Sequence, residues 1–153
     1  MDRGLLLSLG VLSLLLLTHD LVPMGRWNRL PTNPIPLGTR LRSTLVNSLS
    51  GLIPTVLAWR SLGHYGRTTD RMTITIFLVC LVVGELLSWW MPWIFGVSWI
   101  DRRTLEAMTA GTYSFVPKRH GVTPNALHCV IHLVTVVCLV LSLLCLGPGW
   151  LRG

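Results

Sequence analysis

Long apolar runs at residues 5–22, 44–59, 72–99 and 124–146 dominate this chain. About 20 apolar residues in a helix cross the hydrocarbon core of a bilayer. Inside lipid every backbone N–H and C=O must find a partner within the protein, so such runs become helices. The charge count agrees. Charged residues make up 12% of the chain and the apolar set 51%, with mean hydropathy +0.60, whereas a soluble domain carries about 25% charged residues. So little charge cannot cover a water-facing surface. The reading is an all-α integral membrane bundle of four antiparallel transmembrane helices, one domain spanning residues 1–153.

Each run carries its own boundary signals. Arg3 precedes a leucine-rich core, as in a signal peptide. No small-x-small cleavage site follows, however, and residues 23–26 read as a membrane exit, so the first run is a retained helix. Pro31, Pro34 and Pro36 make the next connection irregular. The second run is the least apolar, with Asn47, Ser48, Ser50, Gly51 and Pro54, but arginines frame it. The third is long enough for tilt or an interfacial extension beyond Pro92, and Trp89, Trp90, Trp93 and Trp99 suit a headgroup-level belt. Residues 100–122 begin amphipathic and become turn-like at 117–121. Thr123 is placed to cap the last helix with Pro124 at its first position, and residues 147–149 stop it.

The net charge of +7 suggests a nucleic-acid partner only until the cations are located. They lie in the connections, where anionic lipid headgroups are their natural partners, and no nucleic-acid-binding motif is present. The first and third connections hold eight of the 13 Lys and Arg residues, and the remaining segments hold five. The positive-inside rule then puts those two connections in the cytoplasm and both termini outside. Cys80, Cys129, Cys138 and Cys145 all fall inside apolar runs without a CxxC pair, so neither a disulfide framework nor a Cys-type zinc site is expected.

Two small-residue stripes mark close helix packing. Cys80, Gly84 and Ser88 recur every fourth residue on the third helix, a face that also suits an oligomer contact. Ser48, Gly51, Thr55 and Ala58 form a looser stripe on the second. The fourth helix carries a polar stripe of Asn125, His128, His132, Thr135, Cys138, Ser142 and Cys145. At about 100° per residue these positions stay within about 160° of the circumference, which defines an inward face. Leu127, Ile131, Val134 and Leu141 are then expected against lipid.

Ionisable side chains inside a membrane span are costly and mark candidate sites. Here they are His19 and Asp20 at the end of the first run, Glu85 in the third, and His128 and His132 in the fourth. An up-down threading brings all of them to one membrane side. His128 and His132 lie about 6 and 12 Å below Pro124, and Glu85 about 10 Å below Pro92, at about 1.5 Å per residue. Asn47 enters the same layer.

Three chemistries fit this cluster. It can be a buried polar network that fixes helix register. It can be an acid–base or divalent-metal site, with His128, His132 and Glu85 as catalytic candidates. The i, i+4 histidines would be completed by Glu85, His19 or Asp20, although Cys129 stands where an HExxH motif has Glu. Haem ligation across a macrocycle would need His19. Or the cluster lines a cavity for a lipid, quinone or other amphiphile, walled by Trp89 and Trp93 with Asn125 in support. Over the same face, Tyr113, Lys118 and Arg119 read either as an interfacial loop with snorkelling cations or as a lid that binds an anionic group.

The stretch from Gly84 to Gly96, then residues 112–117 and 124–128, together with His19, Asp20 and residues 25–27, resembles a group of small bacterial multi-spanning membrane proteins with no assigned activity. The resemblance covers most of the chain and implies a bacterial inner-membrane setting rather than a function. Tyr113 departs from it, since members of that group often carry His there, and the departure removes a metal ligand from the loop. The functional expectation is a structural or amphiphile-binding accessory protein, with a metal-dependent membrane enzyme as the alternative.

Overall fold

The computed structural model describes residues 2–28, 36–63, 68–97 and 102–146. Trp99, the prolines at 31 and 34, and the stop signal at 147–149 lie outside the described residues, as do Arg29, His64, Arg67 and Arg152. Among the described residues the chain is helical, with a single isolated bridge between Arg119 and Val122.

Helix α1 (Asp2–Thr18) ends before the expected residue 22. Thr18 Oγ1 donates back to Leu14 O at 2.7 Å, and the chain then turns through His19 and Asp20 toward Pro23. Helix α2 (Leu37–Gly63) is longer than expected at both ends. Its cationic first turn is anchored on Pro36, whose carbonyl accepts Thr39 N–H at 3.0 Å and Arg40 N–H at 3.1 Å. Helix α3 (Thr68–Glu85) passes through one π-helical turn, Leu86–Trp90, into α4 (Met91–Phe95). That path stops at Gly96, which takes the left-handed φ of 71° that glycine adopts without steric cost. Helix α5 (Arg102–Thr109) is short and amphipathic, and α6 (Ala126–Leu146) closes the structure.

Two stretches, Thr68–Phe95 with 28 residues and Ala126–Leu146 with 21, are long and apolar enough to cross a membrane. α1 has 17 residues, about 26 Å of helix at 1.5 Å per residue. The helices share an apolar exterior. Leu7, Leu14, Leu45, Val46, Ile76 and Leu133 are each at least 60% exposed, far more apolar surface than water-facing helices carry.

α1 packs against α2 and α6, and α3 packs against the same two helices. The core is built from Leu5, Leu9, Leu12 and Leu16, spaced four, three and four residues apart to form one stripe. They meet Ile74 and Leu78 of α3 and Leu127 and Ile131 of α6. Leu127 and Ile131, expected against lipid, are therefore buried, because α6 is covered from two sides. The exposed face of α6 instead carries Leu133, Val136, Val140 and Leu144. A smaller cluster of Trp89, Leu105 and Val122 docks α5 beneath the π turn.

Cross-helix hydrogen bonds fix direction. Ser13 pairs with Thr55 at 2.8 Å, while Asp20 receives Asn47 at 3.2 Å, so α1 and α2 run antiparallel. Thr75 pairs with Ser142 at 2.6 Å and Trp90 with His132 at 3.0 Å, so α3 and α6 do too. The end of α1, the start of α2, the end of α3 and the start of α6 therefore share one level. The two small-residue stripes behave differently. A Cβ on Gly51 would lie 2.9 Å from the Cα of Ser13, a true backbone approach. Gly84 has nothing within 4 Å, and Cys80 is exposed, so that stripe packs on no helix and faces open space.

Gly51→Val is expected to force α1 off α2 and cost about 1–3 kcal/mol by overpacking, whereas Gly84→Ala shifts stability by no more than about 0.5 kcal/mol. Thermal unfolding of both variants in one detergent checks this. Equal losses would contradict the assigned contact.

Candidate functional site

At the shared level of the helix ends lies a cavity of about 450 Å³, a size that holds a small ligand or the head of a larger one. α1 contributes Leu16 and the following turn His19 and Asp20. α6 contributes His128, Ile131 and His132, and the α3 path contributes Glu85 and Trp89. Ser43, Asn47 and Ser50 of α2 face Cys80 and Gly84 of α3 and Ser88 of the π turn across it, with Met108 of α5 at the edge. Ser43, Cys80 and Gly84 border the cavity and yet are exposed, which places its mouth between α2 and α3.

Each polar group has a defined support. His19 is 6% exposed. Its Nδ1 lies 3.0 Å from Leu16 O and its Nε2 lies 3.2 Å from Asp20 Oδ1. Both ring nitrogens therefore face oxygen atoms, one of the backbone and one of Asp20. Asp20 Oδ2 accepts from Asn47 at 3.2 Å and from Thr44 at 3.4 Å, which ties the end of α1 to the start of α2. Asn28 donates its side-chain amide to His19 O and folds the connection back onto the site.

The helix α6 starts later than expected, and its cap is Asn125 rather than Thr123. Asn125 Oδ1 accepts His128 N–H at 2.9 Å, satisfying a donor of the first turn. The same oxygen lies 2.8 Å from His128 Nδ1, so the capping residue also orients a cavity imidazole. His128 stands between His19, 5.6 Å away between centroids, and Trp89, at 4.1 Å.

The π turn sets the opposite wall. An extra residue in one helical turn shifts the side chains that follow, and such turns recur at functional sites. Here it packs Trp89 on His128 and directs the Trp90 indole N–H to His132 Nδ1 at 3.0 Å. Glu85, the last residue before it, accepts Thr135 Oγ1 at 2.7 Å. Trp90 and Asn28 were not anticipated as site residues. No motif signals a π turn, and Trp90 reads as one more belt tryptophan.

Glu85, His19, Asp20, His128 and His132 thus border one cavity. Among the described residues, however, no group of three or more His, Cys, Asp or Glu side chains is arranged to hold a metal ion. Nδ1 of His132 is occupied by an indole N–H, Nδ1 of His128 by an amide oxygen, and Glu85 is turned to Thr135. Of the expected ligand walls, Trp89 lines the cavity and Trp93 does not. Trp93 donates to Pro117 O at 2.8 Å and carries the Arg119 guanidinium 4.7 Å above its ring, which fastens the third connection.

Tyr113, Lys118 and Arg119 also stay outside the cavity. Tyr113 packs with Trp27 and Phe115, and Lys118 pairs with Glu106 at 3.3 Å. The loop still closes over this end. Tyr113 N–H reaches Arg26 O and Ala126 N–H reaches Tyr113 O, each at 2.8 Å, so the first and third connections form one unit. No family model, curated protein or solved structure matches the chain.

Asn125→Ala removes a cap and should cost about 0.5–2 kcal/mol; it also leaves His128 Nδ1 without its acceptor. The expected readout is a lower melting temperature together with a changed ¹⁵N shift at His128, with His19 unaffected. An unchanged His128 signal would contradict the dual role of Asn125.

Proposed function

We propose that this protein is a multi-pass membrane protein, a bundle of four antiparallel transmembrane helices whose cavity binds the polar head of an amphiphile. It acts as an accessory that holds a lipid, quinone or related molecule within one leaflet. The single observation carrying this reading is a cavity of about 450 Å³ bordered by three histidines and two acidic side chains, with a mouth between two helices rather than at a helix end. A lateral mouth suits a molecule whose tail stays in the bilayer. Its small edge residues, Ser43, Cys80 and Gly84, leave room for such a tail.

The membrane setting is supported by the apolar exterior of α1, α2, α3 and α6 and by the two stretches long enough to span. α1 and α2 are proposed as the other two spans. α1 is leucine-rich, and α2 exposes Leu45, Val46, Leu49 and Leu52 on its outer face. By the distribution of loop cations, the first and third connections face the cytoplasm and the cavity lies in the cytoplasmic half. The resemblance of the Gly84–Gly96 stretch to small bacterial multi-spanning proteins supports an inner membrane. Anionic headgroups are the proposed neighbours of the loop cations.

Purification in mild detergent followed by mass spectrometry tests the reading. The wild-type chain should carry an amphiphile near stoichiometry. Gly84→Leu, which projects a side chain into space where Gly84 meets nothing within 4 Å, should lose it while keeping the wild-type helical content. No retained amphiphile in the wild type, or equal retention in both, would count against the function.

A further inference from the structure

The two cavity histidines of α6 carry ring nitrogens of opposite hydrogen-bonding character, and both rings border the cavity. A backbone N–H can only donate, so the Asn125 atom that receives His128 N–H must be the amide oxygen. That oxygen cannot donate to His128 Nδ1, so Nδ1 carries the ring proton and Nε2 keeps a lone pair. His132 is fixed the other way. An indole N–H is a donor only, so His132 Nδ1 accepts from Trp90 and the ring proton sits on Nε2. Neither Nε2 has a hydrogen-bond partner among the described residues, although His132 is 6% exposed and both rings border the cavity.

The geometry points to recognition of the hydroxyl group of an alcohol- or phenol-headed amphiphile, whose oxygen accepts from His132 Nε2–H and whose own O–H donates to His128 Nε2. This inference rests on the amphiphile-binding reading and names its ligand class. The ring centroids are 6.1 Å apart. A hydroxyl oxygen with hydrogen bonds of about 2.8 Å to each nitrogen, bent at the oxygen, bridges nitrogens about 4.5–5 Å apart, which rings with centroids at that separation permit. Other headgroups satisfy only half of the pair. An ether, ester carbonyl, phosphodiester or carboxylate only accepts, and an ammonium only donates. The opposed tautomers are set from outside the cavity, by Asn125 on one ring and Trp90 on the other, so the pair is organised before a ligand arrives.

A glycerolipid hydroxyl and a quinol or alkylphenol hydroxyl share this chemistry, and a competition experiment separates them. The full-length protein in mild detergent is offered equimolar mixtures of a monoacylglycerol and its dimethyl ether, and separately of an alkylhydroquinone and its dimethyl ether, so that neither control keeps a free hydroxyl. Retained ligand is counted by mass spectrometry. The free-hydroxyl form should be enriched at least about tenfold in one of the two arms, since the ether leaves the His128 acceptor without a donor. The arm that shows enrichment identifies the source. His132→Phe and Trp90→Phe should bring the ratio toward one, and Gly84→Leu should exclude both members of each mixture.

A ratio near one in both arms, with all probes retained by the wild type and excluded by Gly84→Leu, overturns hydroxyl recognition and leaves amphiphile binding standing. Retention of no probe, or retention undiminished in Gly84→Leu, overturns both. Where a histidine variant fails to fold, the wild-type ratio still decides.

Discussion

Hydrogen bonds along the α3–α6 seam set the helix register from which the cavity follows. Along it a polar group meets a polar group at intervals: Arg71 with Cys145 O at 3.0 Å, Thr75 with Ser142 at 2.6 Å, Glu85 with Thr135 at 2.7 Å and Trp90 with His132 at 3.0 Å. Each such bond contributes only about 0.5–1.5 kcal/mol net. Their joint effect is on register. A slip of one helical turn, about 5.4 Å, breaks all of them and leaves polar groups unpaired in an apolar setting, where the loss exceeds the gain of making them.

The α1–α2 pair is held by a different device, and the difference creates the cavity. Gly51 lets the backbones meet, so these helices approach closely. At the end where the histidines lie, Asp20 pulls the start of α2 toward α1 through Asn47 and Thr44. Among the described residues no side-chain hydrogen bond draws α2 to α3 there: the small residues at 80 and 84 of α3 and at 88 of the π turn face the gap instead. Two tightly registered pairs joined loosely on one side leave a laterally open space. Its polar content is what the seam and the α1 exit deliver to that level.

Much of this arrangement was legible in the sequence because helical periodicity and antiparallel threading are simple geometry. The polar stripe of α6 fixed an inward face, and depth counting put Glu85, His128 and His132 at one level. What periodicity cannot show is which small residue meets a neighbour. Cys80–Gly84–Ser88 is the more regular stripe, yet Gly51 makes the backbone contact. The cap at Asn125 was obscured by Thr123-Pro124, an equally good local signal that lost because Asn125 also serves His128. The π turn had no signature at all. It decides which tryptophan reaches His132, and Trp93, expected in the wall, supports the third connection instead.

The acids and the imidazoles share a pocket only because the ends of α1 and α3 and the starts of α2 and α6 lie at one level, which the proposed threading assigns to one membrane face. Labelling single cysteines with a membrane-impermeant maleimide tests it most directly, at Arg26, Lys118 and Arg60, all exposed side chains in or beside the connections. Arg26→Cys and Lys118→Cys should react from the same side and Arg60→Cys from the other. Reaction of positions 26 and 118 from opposite sides would contradict the proposed threading and remove the cavity with it.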